Sequence, residues 1–159
     1  MPTWPPRRAG DEVIHTIHAQ YPDGIDGLCC NAGVSGACGN LKLMISLNYF
    51  GATNLAHGLF DLLKKKGGSC VVTSSNTISQ GAARMDLVDM LNYSQTKPVN
   101  EERILNIIEK FDESSLAVGN SIYVTTNMPW PGGPPGLRSP GPPTACGSTP
   151  WPPAMSPPP

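Results

Sequence analysis

Residues 11–21 place Val13, Ile14, Ile17 and Tyr21 on one helical face, with Asp11 and Glu12 in the first turn, where the helix dipole favours carboxylates. Pro22-Asp23-Gly24 stops that helix. Residues 25–30 then predict a short buried strand, followed at once by Asn31-Ala32-Gly33 and a glycine-dotted loop to Asn40. From 41 to about 66, Leu43, Met44, Leu47, Phe50, Leu55, Leu59, Phe60 and Leu63 predict one long helix. It closes on Lys64-Lys65-Lys66, suited to the negative end of the dipole, and Gly67-Gly68. Residues 69–73, centred on Cys70-Val71-Val72, predict a second buried strand that opens into Ser74-Ser75. Residues 76–98 read as irregular or loosely helical. Residues 98–111 predict an amphipathic helix with Pro98 in its first turn and Ile104, Leu105, Ile107, Ile108 and Phe111 as its apolar face. Residues 119–123 open a last element. Helices alternating with strands predict an α/β fold with a parallel sheet.

Composition confines that fold to the middle of the chain. Of the 159 residues, 128–159 hold 13 of the 18 prolines, too many for helix or sheet, and all three tryptophans lie in the Pro-rich ends. The expected organisation is an irregular start over 1–9, a folding unit over 10–127 and a disordered Pro/Gly-rich tail over 128–159. A net charge of −1 argues against nucleic acid and anionic membrane as partners. The triplet at 64–66 reads as a solvated helix end, since no aromatics interleave with it. No apolar run is long enough to cross a membrane, and the charged start does not read as a secretory signal. Five cysteines without paired Cys-x-x-Cys spacing predict neither structural zinc nor a disulfide framework, and the expected location is the cytoplasm. His15 and His18 share a helix face without a third ligand nearby, so no metal site is expected there. Cys29 and Cys30 are expected to pack inside the first strand.

Both predicted strands end in small polar residues, the edge at which open α/β sheets bind ligands. With Asn48 inside the intervening helix, those residues carry a resemblance. Asn31-Ala32-Gly33 is similar to the Asn-Asn-Ala-Gly of the short-chain dehydrogenase/reductase family, with Cys30 in place of the first Asn. Residues 47–52 (Leu-Asn-Tyr-Phe-Gly-Ala) resemble that family's active-site Asn helix, and residues 68–75 (Gly-Ser-Cys-Val-Val-Thr-Ser-Ser) its catalytic Ser strand. Residues 48–53 and the long interval from Ser75 to Tyr123 resemble the bacterial 3α-hydroxysteroid dehydrogenase/carbonyl reductase branch.

The resemblance covers about residues 9–126. It implies a partial Rossmann-like three-layer parallel sheet without the first βαβ nucleotide-binding unit and without the C-terminal strands. It also implies NAD or NADP as cofactor, a small-molecule alcohol or ketone as substrate (a hydroxysteroid among them), and a homo-oligomer. By the same resemblance Tyr123 would be the general acid and touch the cofactor, Ser75 would hold the carbonyl oxygen, and Asn48 would hold a relay water. Asn31, Ala32 and Gly33 would line the nucleotide.

A tyrosine with an ordinary pKa near 10 needs a neighbouring cation for acid/base work near neutrality. The family places a lysine four residues on; this chain has Asn127. The rival pair Tyr93 and Lys97 precedes Pro98, which disfavours helix at Lys97. Back-translation of residues 127–132 with one added base permits Lys, His or Tyr, Ala, an aliphatic residue and Ala, so the tail reads as an out-of-frame product. A weaker frame shift of the same kind suits residues 1–5. The expectation is a truncated, inactive dehydrogenase. The alternative is an interaction protein whose pairs Pro131/Pro134, Pro140/Pro143 and Pro150/Pro153 dock on SH3- or WW-type domains.

Overall fold

The computed structural model describes residues 6–79, 81–94 and 99–128. The Pro-x-x-Pro pairs, the Pro-rich stretch from residue 129, residues 1–5 and Lys97 of the rival pair lie outside the described residues. The described chain alternates helix and strand and forms one parallel pair of strands, the α/β order that the apolar pattern predicts.

The first helix, α1 (Pro6–Gln20), begins earlier than its apolar spacing requires and ends at the Pro-Asp-Gly turn. Strand β1 (Gly27–Cys30) pairs in parallel with β2 (Ser69–Val72), in the register Gly27↔Ser69, Leu28↔Cys70, Cys29↔Val71 and Cys30↔Val72. Both strands are less buried than their composition predicts. Gly27 and Cys29 are exposed, and Val72 keeps 41% of its surface in contact with solvent. The reason is the sheet itself: two strands lack the flanking strands and helices that bury both faces of a parallel sheet. Cys30 is the inward exception, its thiol donating to the Ala52 carbonyl at 3.8 Å.

The long predicted helix exists but is not continuous. It runs as α2 (Leu41–Ile45), a π-helical turn (Ser46–Gly51), α3 (Ala52–Gly58) and α4 (Phe60–Lys66), with an irregular Leu59 between the last two. Asn40 caps its start, Oδ1 accepting from Leu43 N at 2.8 Å, and Gly67 ends it in the left-handed conformation. The break beside Gly58 coincides with the packing of α1, whose Ile14 side chain occupies the space a Cβ on Gly58 would need. His18 Nε2 also meets the Gly58 carbonyl at 2.8 Å. Two lysines of the basic triplet are partnered with the preceding loop. Lys65 donates to the Pro22 carbonyl at 2.6 Å, and Lys66 pairs with Asp26 at 3.3 Å.

The described residues of the stretch from 76 to 94 are more regular than the sequence predicts. A 3₁₀ turn (Asn76–Ser79) precedes α5 (Met85–Ser94), which buries Leu87, Val88 and Leu91. Its interrupted apolar spacing hides this helix from the sequence, and packing on its neighbours supplies the stability that propensity lacks. Helices α6 (Val99–Ile108) and α7 (Leu116–Thr126) follow. The main core lies among helices: Leu41, Met44, Ile45, Tyr49, Leu87, Leu91, Ile104, Ile108 and Ile122 form one buried cluster. Tyr49 OH donates to the Leu91 carbonyl at 2.7 Å, which satisfies its buried hydroxyl.

Candidate active site

The site is assembled from the carboxyl ends of β1 and β2, the π-helical turn and α7. Asn31, Ala32 and Gly33 follow β1 and stay exposed. Asn31 Oδ1 accepts from Thr73 Oγ1 at 2.7 Å, and Thr73 N donates to the Cys30 carbonyl at 3.0 Å, so the two strand ends are held together beyond the sheet.

Asn48 sits half-buried in the π-helical turn and grips the loop after β1 with both ends of its amide. Its Oδ1 accepts from Val34 N at 2.8 Å, and its Nδ2 donates to Val34 O at 2.9 Å. A Cβ on Gly33 would come within 3.1 Å of Asn48 Oδ1, so a glycine lets the loop pass close to this amide. π-helical turns concentrate at functional sites, because the extra residue in the turn displaces a side chain from regular helical spacing.

Ser75 is half-buried at the end of the β2 segment. Its Oγ accepts from Thr77 N at 3.3 Å and from Thr77 Oγ1 at 3.0 Å, an arrangement that caps the following 3₁₀ turn. Tyr123 lies on α7, half-buried and packed against the main cluster. No direct hydrogen bond joins Asn48, Ser75 and Tyr123 among the described residues. Links between their elements run through neighbouring residues. Ser74 Oγ donates to the Asn127 carbonyl at 3.0 Å, tying the end of β2 to the end of α7. Thr125 Oγ1 accepts from Arg84 N at 2.9 Å, and Ser121 Oγ donates to the Ala82 carbonyl at 2.8 Å.

Asn127, at the position where the resemblance calls for lysine, turns back onto its own helix. Its Nδ2 donates to the Tyr123 carbonyl at 2.8 Å, and the last turn of α7 carries no basic residue. A neutral amide engaged with the backbone does not supply the cation a proton-donating tyrosine needs.

Two contributors have no role in the sequence pattern: Thr73, and the pair Gly36 and Gly119. Thr73 belongs to the predicted second strand, and Ser74 to the small polar residues at its edge. Gly119 carried a signal, since a glycine inside a helix costs about 1 kcal/mol and marks close approach. Here the Gly36 carbonyl rests against Gly119, and a Cβ on Gly36 would crowd the Asn120 backbone at 3.0 Å. The loop after β1 is thereby seated directly on α7.

The parallel pair of strands and the helices around it match part of the Rossmann-like fold of a short-chain dehydrogenase/reductase. The likeness runs to the hydroxysteroid dehydrogenase branch. The chain is similar to the 3-alpha-hydroxysteroid dehydrogenase from Pseudomonas sp. B-0831, whose crystal structure contains NADH, with a TM-score of 0.59 and 26% sequence identity. The similarity covers 73% of this chain and 44% of that one, so the chain spans less than half the length of that dehydrogenase. No family model and no curated protein matches the sequence.

Proposed function

We propose that these residues are the substrate-side half of an NAD(P)-dependent oxidoreductase that interconverts alcohols and carbonyls, with hydroxysteroids in its substrate class. The observation that carries this reading is the double hydrogen bond of Asn48 to Val34, which fixes the Asn-Ala-Gly loop against the helix at the sheet's carboxyl edge.

When bound, the nicotinamide supplies hydride. The chain's own groups handle the oxygen and its proton. Tyr123 donates the proton to the carbonyl oxygen and meets the cofactor. Ser75 accepts both hydrogen bonds from Thr77, which leaves its own hydroxyl hydrogen for that same oxygen. Asn48 orders a water in the proton path. Asn31, Ala32 and Gly33 offer an exposed, small-residue rim that suits the flat face of a nucleotide.

The pyrophosphate end fits less well. A dinucleotide needs a Gly-rich turn running from a strand into a helix N-terminus, and no such turn precedes the strands described here. With Asn127 neutral, the 159 residues taken alone are inactive in our reading. The proposed setting is cytoplasmic, consistent with there being no helix among the described residues long and apolar enough to cross a membrane.

Titration of the isotope-labelled chain with NADH, followed by NMR, tests this reading. Shifts confined to Asn31, Ala32, Gly33, Ser75 and Tyr123 at millimolar cofactor, without turnover of a ketosteroid, are expected. Silence at all five positions would remove the site. Micromolar affinity with turnover would overturn the inactivity.

A further inference from the structure

The register that pairs Cys30 with Val72, carried one residue further, sets Asn31 opposite Thr73 at the carboxyl edge of the sheet. Opposite residues of paired strands present their side chains on one face, so these two can continue the ladder with side-chain bonds. Thr73 N donates to the Cys30 carbonyl at 3.0 Å, and the Thr73 hydroxyl donates to Asn31 Oδ1 at 2.7 Å. The second bond fixes which way the amide points. An asparagine amide is planar, with an acceptor at one end and two N–H donors at the other, so engaging Oδ1 turns Nδ2 away from Thr73. Asn31 is exposed, and among the described residues its Nδ2 meets no acceptor.

Charge narrows what those donors can meet. Residues 27–41 and 67–83 carry no charged side chain, so neither strand end supplies the cation that a phosphate draws. Two neutral N–H donors beside the small residues Ala32 and Gly33 suit a neutral oxygen that can approach closely, the class to which ribose hydroxyls belong.

We propose that Thr73 is a positioning residue, whose hydroxyl holds Asn31 so that its Nδ2 donates to a neutral oxygen of the bound nucleotide. The identity of that ligand rests on the oxidoreductase reading; the hold itself belongs to the free chain. Thr73 lies two residues before Ser75, so the same hydroxyl ties the rim that meets the nucleotide to the strand segment that carries the serine. Without the hydroxyl the exposed amide turns freely, and binding must first order it. Thr73→Val keeps the β-branched shape and removes the hydroxyl, whereas Thr73→Ser keeps the hydroxyl.

The test is NMR of the full 159-residue chain with its side-chain amides labelled. Without ligand, the order parameter of Asn31 Nδ2 should stand well above about 0.6 in the wild type and in Thr73→Ser, and fall below it in Thr73→Val. NADH should move the Asn31 amide resonances, inorganic phosphate should leave them still, and the shift at a fixed NADH concentration should be about threefold to tenfold smaller in Thr73→Val. A mobile amide in the wild type, or equal order in wild type and Thr73→Val, would overturn the hold. NADH that moves Gly33 and Ser75 but not the Asn31 amide, or inorganic phosphate that moves it, would overturn the donor role and leave the oxidoreductase reading standing. NADH that moves nothing removes that reading and the donor role with it, while the ligand-free order parameters still decide the hold. The wild-type order parameter and titrations remain decisive where a variant fails to fold.

Discussion

The helical cluster and the two-stranded sheet are packed to different standards. Met44, Ile45 and Ile108 are completely buried, whereas Val72, at the end of β2, is 41% exposed and Cys29 faces solvent. Helices satisfy their own backbone hydrogen bonds and need only one apolar stripe covered, so α2, α5, α6 and α7 close a core on each other and on the π-helical turn. A strand borrows its hydrogen bonds and its burial from neighbours on either side, and four residues paired on one edge gain little of either. The proposed chemistry sits where these regions meet, with its asparagine and tyrosine on well-packed helices and its loop and serine on the weaker sheet.

The largest expected effect separates the two regions directly. Ile108→Ala removes a fully buried side chain from the cluster and should cost about 2–5 kcal/mol. Val72→Ala should cost less than about 1 kcal/mol. Paired denaturant titrations check this, and equal losses would show that the sheet is as tightly packed as the helices.

An intermediate effect lies at the seam. Gly119→Ala would drive a Cβ into the Gly36 carbonyl. The strain should outweigh alanine's helix preference of about 1 kcal/mol and leave a net loss of about 1–3 kcal/mol. Thermal melts would report it. A stabilised Gly119→Ala would mean that the loop after β1 yields freely and is not seated on α7.

The smallest effect concerns His57 in α3, the helix that bears on β1. Although His57 is exposed, partial desolvation of its ring lowers its pKa below the ordinary histidine value. The unfolded chain therefore takes up a proton near pH 6.5 that the folded chain still refuses. Stability should be full above about pH 6.5 and should fall as the pH drops through the folded-state value. His57→Gln should flatten that slope, and an unchanged slope would place the covering of this side chain elsewhere.

Much of this was legible in advance where spacing and capping speak for themselves. Helix over 11–20 and 99–108, the turn at Pro22-Asp23-Gly24 and the left-handed Gly67 stand where local chemistry puts them, although Val13 and Tyr21 of the first predicted face stay exposed. The resemblance also holds at the level of the backbone over 73% of the chain. Legibility ended where one residue's role depends on a distant partner. Cys29 reads as buried because its neighbours are apolar, yet it is exposed among the described residues. Residues 85–94 lack a clean period but become a helix because Leu87, Val88 and Leu91 find a core made by α2, α6 and α7.

By itself, the sequence determined both strands and the helices between and after them apart from the one at 85–94, the parallel α/β class and the polar residues at the strand ends. Periodicity, caps and breakers are local, and they act whatever the rest of the chain does. Only the tertiary structure decided the break of the long helix into a π-helical turn and three helical segments, the grip of Asn48 on Val34 and the turn of Asn127 onto the Tyr123 carbonyl. Each of these depends on which groups compete for the same donor, acceptor or space, and that competition exists only once the chain has folded.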